Sequence, residues 1–446
     1  MAFRILHISD IHLGKNCRVY PGSPEHGAAA LVKELVEELT TRGLLHDLRA
    51  VVASGDFGWF GLQEEFVATA TLLHQLSDQT GVPLTDFVLV PGNHDIQWFR
   101  SDPRDSSRKI PNTRKAALSP YRDFLAGIKG KAASDLSLYL TDLVKFPNEK
   151  VVLIGLNSSR FESKSNAGLG YVGRTQVEEV MSTIGGDPDL LDYAKVVVLH
   201  HHLVPVVNLD LDMLLQSPGD RQFSLTLDAA EVISTLLAYN CTLVLHGHMH
   251  VPFCAVERRP AAAPGHAQCE AETEIVITAA GSFGVSSTYC SGIHYQILSF
   301  ERQRLEIQSF WREFGAKLSD PKTLAVSVQG SSSRIPQAWT EAELRRRQSE
   351  EQMHESWLDG FQILDGNQDA IDELWELIRS RCNGFLASLG ADELRRIFDE
   401  ICSGLIGDRT GSLQRFEAHL KDRRNRVSFN EYILLLMDRL GRHSSS

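Results

Sequence analysis

The chain has 446 residues, which is too long for a single hydrophobic core and typical of two or three domains. Its composition, 43% apolar and 23% charged residues, is that of a globular protein, and no apolar run is long enough to span a membrane. The formal charge of −12 argues against general adhesion to nucleic acid, although it says little about any one cleft.

Cysteine usage and the N-terminal residues bear on the cellular compartment. The seven cysteines are scattered and show no CxxC spacing, so neither a disulfide framework nor a zinc ribbon is indicated. The N-terminus lacks the pattern of a secretory signal peptide. We therefore expect a soluble protein of the cytoplasm that does not associate with membranes.

The first three hundred residues alternate short apolar runs with helical patterns. Continuous apolar runs, typical of strands covered on both faces, predict strands at 3–9, 50–54, 86–90, 151–156, 195–200 and 242–246. Apolar residues at helical spacing predict helices around 30–39 and 66–76, and Asp228 with Glu231 has the spacing of a capping box that opens a further helix. This alternation predicts a layered α/β domain.

The pattern changes after a Pro- and Ala-rich loop at 259–267. Three more strands are predicted at 274–280, 293–300 and 304–311, and the last two alternate as in a meander. Residues 327–339 have linker composition, and the chain then shows 3.6-residue apolar periodicity. The predicted organisation is a first domain at 1–326, a linker at 327–339, an all-α bundle at 340–441 and a disordered tail at 442–446.

Potential metal ligands follow five of the predicted strands, at the point where each strand ends. The segments are DIH at 10–12, GD at 55–56, GNHD at 92–95, HHH at 200–202 and GHMH at 247–250. The carboxyl ends of strands in α/β sheets converge, so we expect one site. Hydrolysis at phosphorus uses such a set, because two divalent cations about 4 Å apart can bind phosphoryl oxygens and activate water. Asp56 is the natural bridging carboxylate, and mixed N/O ligation favours Mn, with Fe or Zn as alternatives.

These five motifs, in this order over about the first 250 residues, resemble those of the calcineurin-like metallophosphoesterases. The resemblance implies a two-sheet αββα sandwich, in which the strands after the Pro- and Ala-rich loop look like the family's second sheet. The ligand sets that it implies are Asp10, His12, Asp56 and His250 for one metal, and Asp56, Asn93, His200 and His248 for the other. His94 would be the nonligating catalytic imidazole, and Asp95 would orient a neighbouring group of the site.

The three consecutive histidines leave one ligand open. Successive strand residues face opposite sides, so His201 cannot share a face with His200 and His202. When the family's HHPPxP motif is aligned with residues 200–205, His200 becomes the ligand and His201 a neighbour of the substrate. His202, however, stands where the family has a proline. We favour His200, with His201 as the alternative. His7 and His246, inside strands, are predicted to pack or to support the ligands.

Two short sequence motifs bear on the substrate. Residues 156–158 (LNS) and a helix containing Gln176 resemble class III cyclic nucleotide phosphodiesterases, whereas HISDIHLG at 7–14 resembles repair nucleases that process DNA ends. The first resemblance favours a nucleotide-type phosphodiester, attacked by a hydroxide held between the two metals. A nuclease acting on DNA or RNA ends is the alternative.

A basic insert follows GNHD and could contact substrate phosphates. Residues 97–131 carry nine Lys or Arg against three Asp, and Arg100 is the candidate contact. A solvated loop is the simpler explanation for most of these charges. The bundle at 340–441 holds no catalytic cluster and is suited to a protein partner or a second copy of the chain. An effector or scaffold subunit, recruited through this bundle, is therefore the alternative of another class.

Overall fold

The computed structural model describes residues 3–13, 24–97, 114–160, 162, 168–190, 192–205, 226–260, 272–284, 293–301, 304–312 and 322–327, with isolated positions at 344, 345 and 348. The chain divides into two compact units, residues 1–110 with 117–340 and residues 111–116 with 341–446. Nearly all described residues belong to the first unit. Arg100, and all but a few positions of the predicted linker, bundle and tail, lie outside the described residues.

Twelve described strands form two six-stranded sheets. They are β1 Phe3–Ile8, β2 Leu48–Ala53, β3 Phe87–Leu89, β4 Asp142–Phe146, β5 Val151–Gly155, β6 Ala194–Val198, β7 Cys241–His246, β8 Pro252–Pro260, β9 Glu272–Ala280, β10 Ile293–Glu301, β11 Arg304–Arg312 and β12 Lys322–Ser327. The first sheet has the order β12-β11-β10-β1-β2-β3, and the second has the order β4-β5-β6-β7-β9-β8. The prediction that the later strands supply the second sheet is correct for β9 and wrong for the last two strands, because β10 pairs antiparallel with β1 and brings β11 and β12 into the first sheet.

Five described helices cover the sheets. They are α1 Pro24–Thr41, α2 Gln63–Thr80, α3 Arg114–Lys129, α4 Arg174–Gly185 and α5 Ala229–Ala238. The two helices predicted from apolar spacing are confirmed as α1 and α2. Within the part of the chain that the structure describes, no helix combines the length and apolar character needed to cross a membrane.

The predicted capping box at the start of α5 is wrong, although the helix does begin at Ala229. The Asp228 side chain makes no capping hydrogen bond. Its carboxylate instead accepts hydrogen bonds from the backbone N–H groups of Val172 and Gly173, at 3.1 and 2.7 Å. Asp228 therefore ties the start of α5 to the loop before α4.

Three apolar layers give the αββα sandwich, which confirms the predicted fold class. Alternate residues of each strand face opposite sides, so Ile5 and Val52 pack between the sheets while Leu6 and Val51 pack under α1 and α2. A third cluster lies between the second sheet and helices α4 and α5. Because both faces of the central strands are covered, their sequences are continuous apolar runs.

The described part of the basic insert is a helix, not the solvated loop that its charges suggested. Tyr121, Phe124 and Leu125 of α3 are buried in the same apolar cluster as α1 and α2. The ammonium of Lys129 lies 2.6 Å from the Asp142 carboxylate and also contacts a backbone carbonyl. These residues of the insert therefore contribute to the body of the fold.

Candidate metal centre

The structure brings the strand-end ligands together at one place between the two sheets. Asp10 and His12 follow β1, Asp56 follows β2 and His250 follows β7. Each of these four side chains offers one ligand atom, and the four atoms all lie within 4.8 Å of one another. All but His250 are buried. This group is the set predicted to hold the first metal.

Pairwise distances show how tightly this first set is gathered. The Nε2 atoms of His12 and His250 are 3.0 Å apart, and His250 Nε2 lies 3.4 Å from Asp10 Oδ1. The Oδ2 atom of Asp56 lies 3.6 Å from His12 Nε2. The Asp10 carboxylate is fixed from behind by the backbone N–H of His248, which lies 3.1 and 3.2 Å from its two oxygens.

A second set of donors lies on the other side of Asp56. His200 Nε2 is 3.4 Å from Asp56 Oδ2 and 3.1 Å from Asn93 Oδ1. His248 Nδ1 is 3.0 Å from Asn93 Oδ1 and 3.2 Å from His200 Nε2. One oxygen of Asp56 therefore faces an imidazole from each set. This is the arrangement that a bridging carboxylate requires.

The hydrogen bonds of three imidazoles fix which ring nitrogen carries the proton. The Nδ1 atoms of His12, His200 and His94 lie 3.1, 2.7 and 3.0 Å from the backbone carbonyls of Gly58, Ser54 and Trp59. A carbonyl can only accept, so each Nδ1 donates, and in the neutral ring Nε2 has the lone pair.

This tautomer assignment tests whether a cation fits the centre. Burial holds the pKa of His12 well below its usual value, so the Nε2 lone pair of His12 faces the carboxylate of Asp56 and an acceptor faces an acceptor. A cation bound among them relieves that repulsion, and nitrogen with carboxylate oxygen suits Mn, Fe or Zn. The residues present therefore fit divalent metal binding.

The electrostatics of the buried groups agree with divalent metal binding at this centre. Burial alone would raise the pKa of Asp56, but the charges of His200, His94 and His12 hold it well below its usual range. Burial alone would lower the pKa of His200, but the charge and hydrogen bond of Asp56 raise it to about 9. Burial raises the pKa of Asp10. Asp56 thus favours positive charge at His200 Nε2, where a metal ligand atom is expected.

The ligand residues adopt a backbone conformation that side chains rarely take. Five of the eight described non-glycine residues with positive φ are predicted metal ligands, namely Asp10 (52°), His12 (48°), Asp56 (56°), His248 (80°) and His250 (58°). Left-handed backbone at a non-glycine residue costs on the order of 1 kcal/mol and concentrates at functional sites. The turns after β1, β2 and β7 therefore hold strain where they present the ligands.

Close approach explains the glycine in two of the motifs. A Cβ atom at Gly92 would lie 2.1 Å from Asp56 Oδ1, and one at Gly247 would lie 1.8 Å from Ser9 Oγ and 2.5 Å from Asp10 Oδ2. Each glycine lets the backbone pack directly against a ligand carboxylate. The G of GNHD and the G of GHMH are thus required by space.

Asp95 touches backbone groups of the centre. Its carboxylate accepts hydrogen bonds from the N–H groups of Asp56, Phe57 and Gly92, each at 2.8 Å, and from that of Gly58 at 3.3 Å. Burial and the charge of Asp56 raise the pKa of Asp95, and the amides of Gly92 and Gly58 oppose that rise. Asp95 thereby holds the turn that carries Asp56.

His94 lies against the same turn. Its backbone N–H donates to Asp56 Oδ1 at 2.8 Å, and its ring lies edge-on to His12 with the centroids 4.8 Å apart. His94 is thus next to both Asp56, the predicted bridge, and His12 of the first predicted set.

The second of the three histidines is engaged differently from the first. The Ser158 hydroxyl accepts hydrogen bonds from the backbone N–H groups of His200 and His201, at 3.2 and 3.1 Å, and lies 2.9 Å from His201 Nδ1. His200 rather than His201 therefore has its ring nitrogen against Asp56.

Three buried imidazoles, His201, His202 and His246, form a group beside the second ligand set that we call the histidine wall. The rings of His202 and His246 are 4.4 Å apart, and that of His201 is 4.6 Å from the ring of His248. Four nitrogens of this wall have no hydrogen-bond partner among the described residues: His201 Nε2, both of His202, and His246 Nε2. The predicted packing role of His246 agrees with its burial.

The structure describes some of the residues that bear on the substrate and not others. Gln176 is fully buried, and its amide bonds the backbone of Asn157 on both sides, at 2.7 and 2.9 Å. The hydrogen bonds of Gln176 therefore stabilise the backbone of the LNS motif, which contains Ser158. Arg100 lies outside the described residues, and its role stays a prediction, as does substrate contact by His201.

The fold and the centre together define a class: two packed sheets that gather histidine and carboxylate side chains able to bind metal at the ends of their parallel strands. The family model for calcineurin-like phosphoesterases matches residues 3–252, more than half of the chain, and the protein belongs to this family. Membership supports metal-dependent phosphoester hydrolysis. No curated protein matches the chain.

Several solved structures are similar over much of the chain. Vacuolar protein sorting 29 from Cryptosporidium parvum has 12% identity and a TM-score of 0.31, and the match covers 73% of this chain and 98% of that one. Wild-type Vps29 with Zn²⁺ from Entamoeba histolytica has 12% identity, covering 73% and 100%, with a TM-score of 0.29. An uncharacterised protein of Streptococcus pneumoniae TIGR4, described as a predicted phosphoesterase, has 11% identity, covering 73% and 99%, with a TM-score of 0.28. Similarity at this level does not bear on substrate or activity.

Proposed function

We propose that the protein is a two-metal phosphodiesterase acting on a nucleotide-type phosphodiester, with Mn as the preferred metal. One observation carries the proposal: Asp56 Oδ2 lies 3.6 Å from His12 Nε2 and 3.4 Å from His200 Nε2, between two sets of donors. A carboxylate in that position can ligate both cations of a two-metal centre.

Divalent cations bound there would supply Lewis acidity toward the phosphoryl oxygens and activation of water near neutral pH. Asp10, His12, Asp56 and His250 would hold one cation, and Asp56, Asn93, His200 and His248 the other. Asn93 also offers an amide to an equatorial oxygen of the substrate. His94 donates from Nδ1 to a carbonyl, so its Nε2 is the nitrogen that can hold or move a proton at the leaving group.

Paired variants test these roles. Asp56→Ala is expected to abolish both metal content and hydrolysis of bis(p-nitrophenyl) phosphate with Mn²⁺, because neither set keeps its shared ligand. His94→Ala is expected to keep the metals and lose roughly 10²- to 10⁴-fold in kcat. Elemental analysis of the purified variants separates the two, with Asp78→Ala, an exposed carboxylate of α2, as control. A fully metallated Asp56→Ala protein would contradict the bridge.

The substrate class is tested by direct comparison. Wild-type protein is incubated with cyclic mononucleotides, dinucleotides, single-stranded DNA and RNA, and kcat/KM is measured for each. The proposal expects the small nucleotides to be preferred. Preference for strand ends would support the nuclease alternative, whereas a metallated protein without turnover on any of them would support the effector or scaffold alternative.

A further inference from the structure

The segment that carries the bridging aspartate is held by two buried carboxylates. We call residues 56–62, between β2 and α2, the frame segment. Asp95 accepts the N–H groups of its first three residues. Glu65 accepts the N–H groups of Trp59, Phe60 and Leu62, at 3.2, 2.9 and 3.1 Å. Six of the seven backbone amides therefore bind one carboxylate or the other.

The carbonyl groups of the same segment serve the imidazoles of the centre. Gly58 C=O accepts from His12 Nδ1 at 3.1 Å, and Trp59 C=O accepts from His94 Nδ1 at 3.0 Å. The frame segment thus turns its amides toward carboxylates and two of its carbonyls toward imidazoles. The Gly58 carbonyl shares a peptide unit with the Trp59 amide, and the Trp59 carbonyl shares one with the Phe60 amide, so displacement of these amides would move the carbonyl acceptors.

The two carboxylates divide this work. Asp95 holds the amides of Asp56, Phe57 and Gly58, which surround the predicted bridge. Glu65 holds the amides of Trp59 and Phe60, and the peptide units of these two amides contain the carbonyl acceptors of His12 and His94. The Trp59 ring also lies against the ring of His12, with the centroids 4.3 Å apart, and edge-on to that of His94, at 5.3 Å.

Glu65 itself is firmly placed. It is only 5% exposed and occupies the third position of α2, where a glutamate can reach back to the amide of the residue before the helix. A Cβ atom at Gly58 would lie 2.6 Å from its carboxylate, so Gly58 packs directly on it. Burial raises the pKa of Glu65, and bonds from the amides of Leu62, Phe60 and Trp59 oppose that rise.

We propose that Glu65 is a positioning residue for His94, acting through the peptide unit that joins the Trp59 carbonyl to the Phe60 amide. The inference rests on the proposed function, because it assumes that His94 works at the leaving group. Without the Glu65 acceptors, three amides lose their partner, the Trp59 carbonyl shifts, and the His94 ring loses the bond that sets its tautomer and orientation. Misplacement of a catalytic group by about 1 Å is enough to lower the rate about 100-fold.

The test substitutes Glu65→Gln, with Glu64→Gln as matched control. Glu64 is the preceding, exposed carboxylate of the same helix turn, so its substitution removes the same charge. Glu65→Gln is expected to keep both metals, because Asp95 still holds Asp56, and to lower kcat about 10- to 100-fold with little change in KM. The loss is expected to be larger for a phenyl than for a p-nitrophenyl leaving group, since a poorer leaving group depends more on His94.

A double-mutant cycle separates positioning from a general structural effect. In the His94→Ala background, Glu65→Gln is expected to lower kcat no further, because its effect passes through the missing imidazole. Additive losses would overturn the inference. If Glu65→Gln does not fold, Glu65→Asp keeps the charge with a shorter reach, and the same non-additivity is required of it. An inactive wild-type protein would refute the proposed function, whereas an active one with additive losses refutes only the role of Glu65.

Discussion

The frame segment, which contains Asp56, and the histidine wall, which lies beside the second set of donors, are built in contrasting ways. In the frame segment, six amides bind carboxylates and two carbonyls bind imidazoles. In the wall, four ring nitrogens have no partner among the described groups, and the hydrogen bonds that remain are one from His201 Nδ1 to the Ser158 hydroxyl and a long one from His246 Nδ1 to the Gly247 carbonyl. The backbone differs as well, since Asp56 has a positive φ and none of the wall residues does.

This contrast teaches where the geometry of the centre is determined. Hydrogen bonds are directional, so the frame segment fixes the positions of ligand atoms, whereas packing alone fixes only the space that a ring occupies. Changes in the frame segment should therefore alter metal binding, and changes in the wall should alter little besides packing. The following substitutions break or sharpen this comparison.

The largest effect is expected at Gly92, which packs against the frame segment. Gly92→Ala places a Cβ atom 2.1 Å from Asp56 Oδ1 and 2.4 Å from the Asp56 backbone nitrogen, so the Asp56 carboxylate must move. We expect loss of bound metal and at least about a 100-fold loss of activity. Gly81→Ala, at a helix end with open space, is the control and is expected to keep its metals despite a strained φ of 76°. Normal metal content in Gly92→Ala would show that the frame tolerates displacement.

Asp95→Asn tests the frame through its hydrogen bonds. The carboxylate accepts four backbone N–H bonds, and an amide replaces one acceptor oxygen by a donor that faces those N–H groups. We expect the free energy of unfolding to fall by about 3 kcal/mol, because buried donors are left without an acceptor. Urea unfolding measures the change. A loss below about 1 kcal/mol would mean that the frame does not depend on this carboxylate.

His7 tests the support behind His200 through pH. Its Nε2 lies 2.9 Å from the Ser54 hydroxyl, and the carbonyl of Ser54 accepts from His200. Burial lowers the pKa of His7 to about 4, against 6.5 in an unfolded chain, and the bond to Gln296 opposes this only in part. Below about pH 6.5 the unfolded chain therefore binds a proton that the folded chain does not.

Stability contributed by His7 is thus complete above about pH 6.5 and is lost as the pH falls toward 4, by up to about 3 kcal/mol. His7→Gln is expected to flatten this part of the curve of unfolding free energy against pH. The exposed His74→Gln is the control and should leave the curve as in the wild type. If the unfolding free energy of His7→Gln depends on pH as steeply as that of the wild type, His7 does not contribute to the loss of stability in acid.

The smallest effect is expected in the wall itself. His202 packs against His246 and lies 6.2 Å from the ring of Phe253, and neither of its nitrogens has a described partner. His202→Phe is therefore expected to change the free energy of unfolding by less than about 1.5 kcal/mol and to leave metal content unaltered. Loss of metal in this variant would mean that the wall, like the frame, positions ligands.

Sequence patterns anticipated the central strands and the gathering of ligands for one reason. Strands buried on both faces read as continuous apolar runs, and their carboxyl ends meet, so motifs far apart in sequence come together. Strands β4, β8 and β12 were missed because they are edge strands, where polar residues such as Lys145 and Glu257 are tolerated. Helix α3 was missed because Pro120 and its basic residues hid the spacing of Tyr121, Phe124, Leu125 and Ile128.

Long-range side-chain contacts could not be predicted from the sequence, for a different reason. Asp228 has ideal spacing for a helix cap, yet its carboxylate binds amides more than fifty residues earlier in the chain. Glu65 reads as an ordinary glutamate in the first turn of a helix, and only the fold shows that it holds Trp59 and Phe60. Local spacing carries no information about which distant backbone a side chain meets.

The left-handed residues of the centre have a consequence for evolution and for engineering. Asp10, His12, Asp56, His248 and His250 would each be replaced at lower conformational energy by glycine, and in part by asparagine. If selection no longer maintained a catalytic activity, replacement of these residues by glycine would thus lower the conformational energy of the folded chain. Their presence together, in a chain whose folding they burden, is a thermodynamic argument that the centre is maintained for use.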